Sequence, residues 1–172
     1  AQGVLLGWPD ARGIVSDIGG NSMELAEVGG GQVGKRATSP LGPFRLQQVK
    51  GGVKARKAHI AGILDKMRPL FTEEAPRLYL VGGSWRVIAR LDMLRRSYPL
   101  TVLHEYRMMP DHLLETLDWI ASGDMATMRA QTGTSQERMD LVPLACEVLR
   151  GLITTFRPRE VELVCARTLE QR

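Results

Sequence analysis

The chain has 172 residues, 44% of them hydrophobic and 24% charged, with a net charge of +4. That length makes one domain or two small lobes and buries roughly 70% of the unfolded surface. No apolar run approaches the ~20 residues of a membrane span, no signal-peptide pattern is present, and aromatics at 5% without a stacking platform or zinc-finger spacing exclude the common nucleic-acid modules.

In chain order, Gly13 to Ile18 has a short buried-strand pattern that ends near the carboxylate of Asp17. Met23 to Val28 is its return strand across Gly19-Gly20-Asn21-Ser22, and Gln32 to Thr38 is a third strand after the turn at Gly29-Gly30-Gly31. From Gly52 to Arg68 the period becomes helical, with Ile60, Ile63, Leu64 and Met67 on one face and Pro69 as terminator. Arg77 to Val81 is a buried strand running into Gly82-Gly83. Ser84 is the expected cap of the following helix, whose apolar positions are Val87, Ile88, Leu91 and Leu94. A further helix runs from Asp111 to about Ala121. Thr134 with Glu137 predicts a capping box that opens the longest helix, striped by Val142, Cys146, Leu149, Ile153 and Phe156, with Pro143 in its first turns. Val161 to Ala166 is the last expected strand. Strands followed by strand–helix alternation predict an α/β domain with a mixed sheet. Cys146 and Cys165 fall in apolar patterns and read as unpaired thiols, which suits a reducing cytoplasm.

Two glycine-rich turns carry the chemistry. Glycines at 19 and 20 let the chain reverse tightly, and exposed N–H groups beside the Ser22 hydroxyl suit phosphate oxygens. Asp17 at the mouth of the loop can hold Mg²⁺, a hard cation that takes oxygen ligands. The same residues equally fit a plain glycine turn capped by an aspartate. Gly82, Gly83 and Ser84 open a helix, and a helix N-terminus attracts anions. Arg86 and Arg90 share a face near its start and fit either ligand binding or a solvated surface. Arg45, Lys50, Lys54, Arg56 and Lys57 form a basic cluster that fits a solvated helix face or an anionic substrate. His59, His104 and His112 lack metal-ligand spacing, and no G-x-S-x-G element supports nucleophilic catalysis.

Asp17-Ile18-Gly19-Gly20-Asn21-Ser22-Met23-Glu24-Leu25 resembles the second phosphate loop of the exopolyphosphatase/guanosine-pentaphosphatase (Ppx/GppA) family, usually D-[IL]-G-G-G-S-x-E-L. Asn21 replaces a glycine there, and Met23 a threonine. Three more segments follow in the family's order. Pro40-Leu41-Gly42-Pro43-Phe44-Arg45-Leu46 is similar to its P-L-G-x-x-R-L stretch, and Leu80 to Ser84 with Arg86 to its second glycine loop. Gly133 to Arg138 with Pro143 is similar to its G-L-x-x-x-R turn and the helix after it.

The resemblance implies an RNase H-like (actin-like ATPase) fold with a mixed sheet flanked by helices, one lobe of a two-lobed enzyme. Residues 1–172 then correspond to the C-terminal lobe, and the expected partners are the N-terminal lobe and a possible second copy. The implied activity is release of phosphate from polyphosphate or guanosine pentaphosphate by Mg²⁺-assisted attack of water. Asp17 and Glu24 are its implied catalytic and metal-binding residues. Gly19, Gly20, Asn21, Ser22, Gly82, Gly83, Ser84 and Arg86 are implied to bind phosphate. The family's first phosphate loop and its presumed general base, a glutamate just before a stretch resembling Ala1 to Val4, have no counterpart here, so the lobe by itself is expected to be inactive. The family's closing turn is altered at Thr168 and Glu170 to Arg172. A non-catalytic module that senses polyphosphate or an alarmone is the alternative, and a sugar- or acetate-kinase lobe a third.

Overall fold

The computed structural model describes residues 1–72 and 76–165. Its frame is a six-stranded mixed sheet in the order β3-β2-β1-β4-β6-β5. β1 (Gly13–Ile18), β2 (Met23–Gly29) and β3 (Gln32–Ser39) form an antiparallel meander, while β4 (Arg77–Val81) and β6 (Glu160–Leu163) run parallel to β1. Gly30 and Gly31 make the two-residue turn between β2 and β3, both at positive φ (58° and 74°), as the tightest hairpins require.

Helices fill the parallel crossovers on one face of the sheet: α3 (Gly52–Met67), α4 (Gly83–Arg95), α5 (Pro110–Ser122) and α8 (Val142–Phe156), with the shorter α2 (Pro43–Leu46), α6 (Met125–Thr132) and α7 (Gln136–Met139) between them. Ile14, Ile18, Leu78, Leu80, Val161 and Leu163 meet this layer from the sheet. The predicted stripe of α8 is buried throughout, from Val142 to Phe156. Gly151 lets α3 and α8 approach: a Cβ there would stand 2.9 Å from both Ile60 and Leu64. The opposite face is covered only in part. α1 (Gln2–Gly7) lays Val4 over Val15, Val28, Tyr79 and Val164, with Trp8 beside it.

Several sequence expectations change. Ser84 does not cap α4: the N-cap is Gly82, at φ +124°, and no side chain bonds the free N–H groups. The Thr134–Glu137 box does not open a long helix. Ser135 instead starts the single turn of α7, and α8 begins afresh with Pro143 in its first turn. The longest helix is α3, at 16 residues. Pro69 does end the helix as expected: α3 stops at Met67, and the chain goes on in the 3₁₀ turn Arg68–Leu70, where the missing N–H of Pro69 is harmless. The last strand spans Glu160–Leu163, so Cys165 lies past its end, half-buried, while Cys146 is buried and both thiols are free. Ala166 and the altered turn from Thr168 to Arg172 lie outside the described residues.

Sequence patterning missed α1, α6 and the three-residue edge strand β5 (Tyr106–Met108), which pairs antiparallel with β6. Side-chain chemistry locks β5 in place. Asp92 on α4 is fully buried and accepts hydrogen bonds from the Tyr106 hydroxyl (2.7 Å) and the Thr116 hydroxyl of α5. Burial, then Asp92, push the Tyr106 phenol well above its usual range.

Candidate active site

Parallel pairing of β1 with β4 sets Asp17 opposite Val81, so both glycine loops leave the same sheet edge side by side. This is the C-terminal edge, where open α/β sheets bind ligands. The loops touch. A Cβ on Gly82 would stand 3.1 Å from Asp17 Oδ1 and 3.3 Å from the Ile18 carbonyl, which accounts for glycine there beyond its positive φ.

Antiparallel pairing of β1 with β2 makes Asp17 and Glu24 direct register partners. Alternation points both away from the helical layer, onto the sheet face that α1 leaves open. There they line a cavity of about 410 Å³ with Gln2, Gly3, Arg36 and Thr38. Partial burial first, then the adjacent Glu24 charge, hold the Asp17 carboxyl above the usual carboxylate range. Two carboxylates held this close favour a cation between them.

Within the first loop the roles divide. The Gly19 N–H is spent inside the turn, donating to the Ser22 carbonyl at 2.9 Å, so it is not a free phosphate donor. Gly20, Asn21 and Ser22 have no intramolecular acceptor for their N–H groups among the described residues. The loop is braced from behind by the Pro40–Leu46 segment. Leu41 and Leu46 are fully buried anchors, and the Phe44 N–H donates to the Gly20 carbonyl at 2.8 Å. Gly42 lies against the Asn21–Ser22 peptide so closely that a Cβ would fall 2.2 Å from the Asn21 carbonyl carbon. The sequence pattern gave this stretch no mechanical role.

The other candidates sort by position. Gly83 and Ser84 belong to the first turn of α4 and present its free N–H groups beside the first loop. Arg86 is exposed on α4 and does not line the cavity; its charge and that of Arg90 partly offset the rise that burial imposes on the Cys165 thiol. Of the basic cluster, Arg56 is tied to Glu147 at 2.8 Å. Met23 is fully buried, so its difference from the family pattern lies in the core and not at the loop surface. Among the described residues no group of three His, Cys, Asp or Glu side chains forms a metal cluster. Sequence reading passed over Arg36, Thr38 and Gln2, whose places depend on strand register and on how α1 packs.

The sheet order, the glycine loops on adjacent parallel strands and the helical layer define one lobe of the actin-like ATPase fold. The Ppx/GppA phosphatase family model matches residues 1–170, and the chain belongs to that family. Solved structures agree on the fold. The Aquifex aeolicus Ppx/GppA phosphatase superposes with a TM-score of 0.76 at 14% identity, over 96% of this chain and 57% of that one. An exopolyphosphatase from Cytophaga hutchinsonii gives 0.77 at 16% identity, over 95% and 57%. The chain therefore spans less than two thirds of the length of these relatives. A search among curated proteins finds no match.

Proposed function

We propose that the chain forms one wall of a phosphoanhydride hydrolase that releases phosphate from polyphosphate or guanosine pentaphosphate. The observation that carries this reading is the side-by-side placement of Asp17 and Glu24 in the lining of one cavity, at the mouth of a turn with three free N–H groups. Phosphoryl transfer to water needs the phosphates held, their charge offset and a water aligned with the bond that breaks. The N–H groups of Gly20, Asn21 and Ser22, with those at the start of α4, hold the phosphates. Asp17 and Glu24 supply acceptors that orient the water.

Two carboxylates without further protein ligands fit Mg²⁺, which keeps several waters and takes oxygens from substrate phosphates. Asp17 and Glu24 would hold it, and when bound it would offset phosphate charge. The opposite wall and the general base are assigned to the part of the family's longer structures that this chain does not match. Residues 1–172 by themselves should accordingly turn over slowly.

Phosphate release from polyphosphate and from guanosine pentaphosphate, comparing wild type with Asp17→Ala and Glu24→Ala in a two-lobed protein that carries this chain, tests the reading. Loss in both variants supports it. Full activity in either refutes the assignment, and binding without turnover by wild type would favour a regulatory module. A rate for residues 1–172 equal to that of the two-lobed protein would refute the two-wall arrangement.

A further inference from the structure

The register of β3 against β2 changes along its length. Near the turn Gly29 faces Gln32 and Val28 faces Val33; beyond it Ala26 faces Arg36, Glu24 faces Thr38 and Met23 faces Ser39. Between these stretches β2 contributes Glu27 alone while β3 contributes Gly34 and Lys35, which is a β-bulge. Gly34 fits because its missing Cβ would sit 3.1 Å from Glu27 Oε2.

The bulge decides which side chain reaches the cavity. With unbroken pairing Lys35 would oppose Ala26, and Arg36 would turn to the other face of the sheet. The extra residue turns Arg36 and Thr38 to the open face, in register with Ala26 and Glu24 and in the same 410 Å³ cavity as Asp17. Such bulges re-aim side chains beside active sites.

Arg36 is also uncommitted. Arg56, Arg77 and Arg150 are held in ion pairs, whereas Arg36 has no ion-pair or hydrogen-bond partner among the described residues. Two carboxylates one and two strands away leave it unpaired. A guanidinium kept free beside a carboxylate pair has the fork geometry to donate N–H groups to two phosphoryl oxygens at once.

We propose that Arg36 is a substrate-binding residue, gripping a phosphoryl group of a polyanionic phosphate chain laid across Asp17 and Glu24. The assignment rests on the phosphohydrolase reading above. It also makes the cavity floor part of the binding track, in addition to the two glycine loops.

The test is calorimetric titration of the full chain with tripolyphosphate in the presence of Mg²⁺. Arg36→Ala should weaken binding roughly tenfold or more, as loss of a charge-assisted pair does. Arg36→Lys should restore part of the loss, since it keeps the charge without the fork. Lys35→Ala, one residue away within the bulge and outside the cavity lining, should stay within about twofold of wild type and controls for general surface charge. Unfolding midpoints of all variants should match, because both side chains are exposed. Undiminished binding by Arg36→Ala, or an equal loss in Lys35→Ala, overturns the role of Arg36 while leaving the hydrolase reading intact. Failure of wild type to bind tripolyphosphate overturns the binding track on this wall and the role of Arg36 with it, while the hydrolase reading stands or falls on the two-lobed protein.

Discussion

Gly42→Ala isolates the bracing of the Gly19–Ser22 turn from every other property of that glycine. Gly42 sits at φ −70°, ψ 145°, a conformation any residue adopts, so the substitution introduces no dihedral strain. What it introduces is a methyl group 2.2 Å from the Asn21 carbonyl carbon, 2.4 Å from the Ser22 nitrogen and 2.5 Å from the Gly20 carbonyl oxygen. All three are backbone atoms of one tight turn, and none can rotate aside. Restoring ordinary contact requires the turn and the Pro40–Leu46 segment to separate by about 1 Å. Overpacking of this kind costs about 2–3 kcal/mol, which lowers the unfolding midpoint of a chain this size by roughly 4–12 °C. The displaced turn also misaims the Gly20, Asn21 and Ser22 N–H groups, and losing one such charge-assisted hydrogen bond weakens tripolyphosphate binding roughly tenfold or more.

Thermal melting followed by circular dichroism, together with calorimetric titration of tripolyphosphate, reads both effects. Gly20→Ala gives the contrast. Its methyl meets the Phe44 ring at 2.6 Å, and that side chain is 48% exposed and can swing out. Adding Phe44→Ala should therefore rescue Gly20→Ala and leave Gly42→Ala unrescued. A Gly42→Ala protein with wild-type midpoint and wild-type tripolyphosphate affinity would refute the bracing.

Asp17→Asn should raise the unfolding midpoint at neutral pH. Its carboxyl titrates above its ordinary value when folded, so the destabilisation is absent below the unfolded value of 3.8 and complete once pH exceeds the raised one. A midpoint difference that is constant from pH 4 to 8 would contradict this. Tyr106→Phe should cost about 1–3 kcal/mol in chemical denaturation, because it removes a donor from the buried Asp92 carboxylate. Cys146, with burial pushing its thiol up to about 12, should resist a thiol reagent at pH 8 until the protein unfolds, while half-buried Cys165 reacts first in the native state. Equal labelling rates would contradict the packing of α8.

Much of this architecture was legible in the residues. The apolar stripes of α3, α4, α5 and α8 are long and periodic, so burial of one face dictates a helix whatever the surroundings. Glycines mark the turns between β1, β2 and β3 and the one that follows β4. Weaker elements escaped for an equally physical reason. β5 has three residues, and its place depends on the buried Asp92, which sequence gives no reason to bury. Ser84 and the Thr134–Glu137 pair had the residue types of caps, but capping depends on backbone entry angles set by packing.

The candidate site divides in the same way. Asp17 and Glu24 are seven residues apart, and a hairpin with Gly19 and Gly20 between them forces the carboxylates toward each other. Local chain geometry fixes that, so the sequence suffices. The contact of Gly82 with Asp17 needs β4 to cross over and pair parallel with β1. The bearing of Gly42 on the loop needs the Pro40–Leu46 segment to fold back beneath it. The arrival of Arg36 in the cavity needs a one-residue register shift that no pattern of side chains announces. The sequence alone determined which functional groups the first hairpin carries and that its two carboxylates are neighbours, because residue types and a short loop suffice for that. Only the tertiary structure decided which groups share one cavity, because that depends on strand order, register and packing between segments distant in the chain.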